Sequence, residues 1–232
     1  MATISWITPW GQMAYVRSLN DGVARAAYDT PGSYVIGGAV PGYRCTPVRM
    51  FSSFDAYDAA EMTAGAWVCH DMEKGDGFPA PALEKQHPAL AHSVFINKAK
   101  RRGHGLISAP GRDLVYVPGA DNMAKPGEDI NDAYLRCGIP GMCAGAQVLS
   151  VQSQGAQKDL VAFTNLLTAA KAQLPDPNQA LWMGLTTQFA TAKNLVDAYN
   201  AAMPIGVSGC WLTVTKDNAQ AAVDFLKWAC VA

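Results

Sequence analysis

Apolar runs of four to eight residues alternate with stretches of helical periodicity along most of the chain. Residues 3–8 (Thr-Ile-Ser-Trp-Ile-Thr) read as a short strand broken by Pro9. Met13, Val16, Leu19, Val23 and Ala27 then recur at helical spacing and predict a helix over 12–28. A second strand is expected at 33–40, a weaker one at 48–51, and a helix from the N-cap Ser53 to Met62. Residues 66–73 form the next strand. A helix over 88–102 has Pro88 in its first turn, basic residues in its last, and Gly103 after it. Further strands are expected at 104–110, 146–154, 181–188 and 207–215. Helices fall at 130–137, 157–173 and 191–202, and a last one runs from Asp217 or Asn218 to Trp228.

Strand following helix through most of a chain calls for a parallel sheet with helical crossovers. Seven or eight strands, two of them weak, fit a (β/α)8 barrel of the TIM type with room for irregular or missing elements; an open doubly wound sheet is the runner-up. No Gly-x-Gly-x-x-Gly or P-loop follows any strand, which removes the common nucleotide-binding forms of the open sheet. The polar residues collect at strand C-terminal ends, where barrel enzymes carry their chemistry. With 232 residues and no evident linker, the chain is expected to form a single barrel domain.

Composition narrows the function classes. A net charge of −1 leaves no electrostatic footprint for nucleic acid or an anionic membrane surface, and no apolar run is long enough for a membrane span. The expected partner is a small molecule or a saccharide. The N-terminal residues lack the pattern of a signal peptide, so the expectation is a cytoplasmic protein, or a secreted one if the sequence begins at a mature end. Six cysteines include no Cys-x-x-Cys, and no His, Cys and carboxylate spacing suits a metal, so no metal or other cofactor is expected. Cys69 and Cys210 lie in apolar runs as small hydrophobes. Cys137 and Cys143 flank a turn and could pair in an oxidising compartment.

The densest chemistry is at 66–74, Ala-Trp-Val-Cys-His-Asp-Met-Glu-Lys, a buried strand ending in polar groups. Cys69, Asp71 and Glu73 share one strand face, with His70 turned to the helix layer. Neighbouring carboxylates at a strand end suit acid–base work, one raised in pKa by burial and by the other. Arg112 and Asp113 directly follow the 104–110 strand and read either as a local loop ion pair or as a substrate clamp and a further acid; the catalytic candidates are then Glu73, Asp71 and Asp113. Tyr43, Arg44, Arg112, Gln152, Gln154, Gln188 and Trp211 are the substrate-binding candidates, supplying cations, amides and aromatic surface. A bland alternative has the carboxylates solvated and neutralised by Lys74 or Arg112, and Trp211 in the core.

The Asp71-Met-Glu73 exit, with Trp211 on the last strand, resembles glycoside-hydrolase barrels of the chitinase-like kind, whose acidic strand motif ends in Asp-x-Glu. The motif's upstream acids correspond here to Cys69 and Ala66. The resemblance implies a glycosidic-bond hydrolase with Glu73 as proton donor and Asp71 as its orienting partner. The residues themselves leave two alternatives open. One is a lyase, isomerase or cyclase barrel for an apolar or phosphorylated small molecule; the other is a barrel that binds carbohydrate without turnover.

Overall fold

The computed structural model describes residues 5–75, 80–121 and 123–231. Eight parallel strands close into a barrel in chain order: β1 (Ser5–Pro9), β2 (Tyr34–Ile36), β3 (Thr46–Phe51), β4 (Trp67–His70), β5 (Gly105–Ser108), β6 (Val148–Val151), β7 (Ala180–Thr186) and β8 (Gly209–Thr213). Closure runs through β1 and β8, with Ser5 opposite Gly209 and Ile7 opposite Trp211. The (β/α)8 barrel anticipated from the alternation is the observed fold, and the open sheet is excluded.

The strands read as nearly unbroken apolar runs because both faces are covered. All four residues of β6 are buried, as are all but the first of β7. At two strand pairs a bulky ring has a glycine opposite it. Trp67 lies across from Gly105 and Trp182 across from Gly209, and a Cβ at either glycine would collide with the indole.

Ten helices occur among the described residues: α1 (Trp10–Ser18), α2 (Gly22–Tyr28), α3 (Phe54–Asp58), α4 (Ala82–Gln86), α5 (Pro88–Arg101), α6 (Ile130–Arg136), α7 (Ile139–Met142), α8 (Leu160–Ala172), α9 (Ala192–Ala202) and α10 (Ala219–Val231). The chain divides into two compact units. One comprises residues 1–48, 153–167 and 181–232, the other 49–152 and 168–180. In the second, Phe51, Tyr57, Val68, Phe95, Ile96, Ala99, Leu106 and Ala146 form one buried cluster, and Met72, Ala80, Ala91, Leu114, Val117 and Ala120 form another. In the first, Trp6, Tyr199, Phe225 and Trp228 make a chain of ring contacts, with Phe225 edge-on to Trp6 at 5.6 Å.

Several boundaries differ from the periodicity, each for a local reason. The helix expected over 12–28 is two helices. Asn20 adopts a left-handed conformation (φ 50°), and the Asp21 carboxylate caps the amides of Val23 and Ala24. The strand expected at 33–40 ends at Ile36, because Gly37 turns out of the sheet with φ 134°. No helix intervenes before β3. Helix 53–62 stops at Asp58, and the polar exits at 71–73 and 152–154 lie beyond the regular strands. The chain leaves β5 in a 3-10 turn, Arg112–Tyr116, whose Leu114 enters the Met72 cluster. The start of the 3–8 strand and residues 76–79 lie outside the described residues. Helix α5 keeps its expected ends, with Pro88 at the start and Lys98, Lys100 and Arg101 in the last turn.

Candidate active site

The polar exit of β4 keeps a fixed path although its regular pairing stops at His70. Asp71 N–H donates to the Phe51 carbonyl at 2.9 Å, Gly111 N–H donates to the Met72 carbonyl at 2.7 Å, and Ala80 N–H donates to the Glu73 carbonyl at 3.1 Å. Met72 is fully buried in its cluster and anchors the segment between the two acids. The alternation of the strand continues through it. His70 points to the helix layer, stacked on Phe95 at 4.2 Å with its Nδ1 3.0 Å from His92 Nδ1 on α5.

Asp71 and Glu73 meet at Gln152, just past the end of β6. Gln152 Nε2 donates to Asp71 Oδ1 at 2.8 Å, to Glu73 Oε1 at 3.1 Å and to the Ala109 carbonyl at 3.1 Å. One amide nitrogen therefore bridges both acids. Asp71 is 5% exposed, whereas Glu73 is half-buried and is the more accessible of the two. Burial, then the neighbouring Glu73 charge, pushes the Asp71 carboxyl well above its ordinary range, against the Gln152 hydrogen bond that lowers it. Glu73 is raised as well, by burial and by Asp113, with Gln152 again opposing. A pair of this kind retains a proton at higher pH than free carboxylates do.

Asp113 supports the pair from the β5 exit. Its Oδ1 accepts from Lys74 N–H at 3.1 Å and its Oδ2 from Gly75 N–H at 2.9 Å, so it clamps the backbone directly after Glu73. Gly111 makes room for this. A Cβ there would stand 2.6 Å from Asp113 Oδ1 and 3.1 Å from the Met72 carbonyl. All of these residues belong to the second compact unit.

The other expected site residues are placed differently. The Arg112 guanidinium donates to Asn131 Oδ1 on α6 at 2.6 Å. Lys74 Nζ lies 5.9 Å from the centre of the Tyr116 ring. Gln154 lies against Gly184 of β7, so closely that a Cβ at Gly184 would overlap its amide. Gln188 is exposed at the end of β7, its N–H donating to Thr186 Oγ1. Trp211 is 7% exposed within β8, in register with Gly184. Tyr43 and Arg44 precede β3 and so stand at its N-terminal end, where Arg44 is bound to Asp29 through its N–H at 2.6 Å and its guanidinium at 2.7 Å. The acids and Gln152 are thus brought together in one group that includes neither Tyr43 nor Arg44.

Two polar groups escaped the sequence reading. Glu84 on α4 is 4% exposed, accepts from Phe54 N–H at 3.2 Å, and has its pKa raised by burial to about 7. Ser108 Oγ lies 3.1 Å from His92 Nδ1 and donates to Cys143 Sγ, also at 3.1 Å. Neither has a signal in spacing, because tertiary packing alone joins their elements. Cys137 and Cys143 are both free thiols. Among the described residues no three His, Cys, Asp or Glu side chains are grouped to hold a metal ion, and no helix is long and apolar enough to cross a membrane.

No protein-family model matches the sequence, and no curated protein matches it. Solved structures do share its fold. A Schiff-base-forming fructose-1,6-bisphosphate aldolase superimposes with a TM-score of 0.53 at 12% identity, over 98% of this chain and 94% of that one. An archaeal fructose-1,6-bisphosphate aldolase, its catalytic lysine bound to a carbinolamine intermediate, gives 0.55 at 11% identity, over 99% and 95%. These are enzymes built on the same barrel. At such identities the likeness is one of fold.

Proposed function

We propose that the chain is a barrel enzyme that moves a proton on a small-molecule substrate, a reaction of the lyase or isomerase type, with Glu73 as the general acid–base. Asp71 lies deeper and retains its proton through burial and the Glu73 charge, while burial and the Asp113 charge raise Glu73 itself. Gln152 fixes the two carboxyls relative to each other, and Asp113 fixes the backbone that carries Glu73. The observation that carries this reading is the bridging of both acids by the single nitrogen Gln152 Nε2. A proton-transfer group works best with a pKa near the operating pH, and burial, with the Asp113 charge, moves Glu73 in that direction.

The aldolases on this barrel support an enzymatic role and a small-molecule substrate. Their lysine chemistry is not part of the proposal, because none of the eight strands here carries a lysine. A glycosidic reading keeps one supporting feature, the Asp71-Met-Glu73 exit with its raised acid. Two acids joined through one amide nitrogen leave no space between them for the water that inversion requires, at about 6.5–9.5 Å separation. On that reading Glu73 donates the proton and the substrate supplies its own nucleophile.

Solvent isotope exchange separates these readings. Small hydroxy-ketones and keto-acids, phosphorylated and not, are incubated with the protein in deuterated water and followed by proton NMR. Deuterium entering at carbon next to a carbonyl, lost in Glu73→Gln with the fold retained, supports the proton-transfer reading. Exchange that persists in Glu73→Gln removes Glu73 from the role. Cleavage of chromogenic glycosides, abolished in the same variant, transfers the acid to the glycosidic reading.

A further inference from the structure

A second site stands at the N-terminal end of β3 and shares no residue with the carboxylate pair. There α1, α2 and the β2–β3 connection enclose a cleft of about 290 Å³ with Arg17, Asn20, Asp21, Arg25, Tyr28 and Tyr43 in its wall. Tyr43 is its centre. Its ring stacks on buried Tyr28, centroids 6.4 Å apart with planes 8° apart, and meets Trp10 edge-on at 5.8 Å. The Arg17 guanidinium carbon lies 4.6 Å from the Trp10 centroid and 4.9 Å from that of Tyr43, and the Arg25 carbon lies 4.6 Å from Tyr43. A guanidinium held against an aromatic ring by its charge still has N–H donors for an anionic acceptor.

Of the two cations of this wall, Arg17 is the one left uncompensated. Arg17 has no carboxylate partner among the described residues. Arg25, itself exposed, donates to the Gly42 carbonyl at 3.0 Å and pairs with Asp29 Oδ2 at 3.5 Å, which leaves part of its N–H edge open. Asp21 is the acid of the wall, and it is already engaged: Oδ1 caps α2, and Oδ2 pairs with Lys227 at 2.9 Å. Asn20, set in its left-handed conformation at the α1–α2 joint, brings a side-chain amide to the wall that makes no hydrogen bond among the described residues. The wall thus presents the unpaired Arg17 guanidinium, the Arg25 guanidinium with its ion pair to Asp29, and an amide, around a carboxylate already paired with Lys227.

We propose that this cleft binds a small oxyanion, specifically a phosphate group, with Arg17 and Arg25 taking its oxygens in the fork geometry suited to them and Tyr43 holding both guanidiniums in place. Free phosphate and the phosphoryl group of a small metabolite share this chemistry. Calorimetric titration of the full chain with orthophosphate and with glycerol phosphate, at ionic strength held constant with chloride, tests it. Saturable binding is expected for both, weaker by about tenfold in Arg17→Gln and in Arg25→Gln. Arg17 and Arg25 are exposed, so melting temperatures of these variants should match the parent. Tyr43→Leu should weaken binding while removing no charge, a loss that a diffuse positive potential does not produce. Tighter binding of glycerol phosphate assigns the site to a phosphorylated small molecule; equal binding assigns it to free phosphate. Heats no larger than those of chloride, or affinity unchanged in Arg17→Gln, overturn the proposal.

Discussion

Asp71 Oδ1 lies 2.8 Å from Gln152 Nε2, although 81 positions separate the two residues in sequence. This contact joins the exits of β4 and β6 and makes Asp71 and Glu73 a coupled pair rather than two independent surface acids. Gln152→Leu removes the hydrogen bonds that hold both carboxyl pKa values down. Both should then rise further, and the acid limb of any pH–activity profile should move to higher pH. Activity should fall by about a hundredfold, within the usual range for lost acid–base positioning. A pH profile compared with that of the parent checks this; an unmoved acid limb rejects the role of Gln152.

Asp71 also imposes a stability penalty that depends on pH. Its folded pKa is above the unfolded value, so the unfolded chain loses this proton first as pH rises. Stability tied to the protonated form is complete at pH below the ordinary Asp value of 3.8 and is lost as pH climbs through the raised folded pKa. Asp71→Asn removes the penalty and keeps an acceptor for Gln152. It should melt a few degrees higher than the parent at neutral pH, on the order of 2–4 °C per kcal/mol for a chain of this size, with little difference at pH 3. Melting curves at the two pH values measure it.

The His70–His92 pair works in the other direction. Both rings are fully buried, and burial lowers both pKa values, that of His92 to about 4. Here the unfolded chain takes up protons first as pH falls. Stability is complete above the ordinary histidine value of 6.5 and is lost as pH drops from there toward about 4. Urea midpoints should fall between pH 7 and pH 4.5, and His92→Gln, which does not titrate, should flatten that slope.

Asp113 is expected to matter through the backbone it grips. Asp113→Ala leaves the Lys74 and Gly75 amides without their acceptor, at a cost of about 1–2 kcal/mol. Gly111→Ala should reproduce much of that loss, because its Cβ displaces the same carboxylate. Chemical denaturation of both variants tests the shared cause; a stable Gly111→Ala protein with normal activity contradicts it.

The barrel was legible because buried parallel strands and amphipathic helices leave different periodicities, and this chain keeps them distinct from β4 to α10. The β4 exit was legible for the same reason, since alternation alone sets Asp71 and Glu73 on the face opposite His70. Gln152 was found as a polar residue after a strand, but its partners were not, because strand-to-strand register fixes that contact. Tyr43 and Arg44 were read as part of the same site when they precede β3. The β2–β3 connection has no helix to mark the direction of the chain, so the sequence pattern does not distinguish a strand exit from a strand entry there. Asp113 was identified as an acid near the site, whereas its grip on Lys74 and Gly75 depends on the space at Gly111.

The most direct test of the carboxylate pair is a carbon-13 NMR titration of the Asp71 and Glu73 side-chain carboxyls, assigned with Asp71→Asn and Glu73→Gln. The account predicts two linked steps, the later one well above the ordinary carboxylate range, with each resonance responding to both steps. Two independent titrations within the ordinary range would contradict it and return both residues to the status of solvated acids at a strand end.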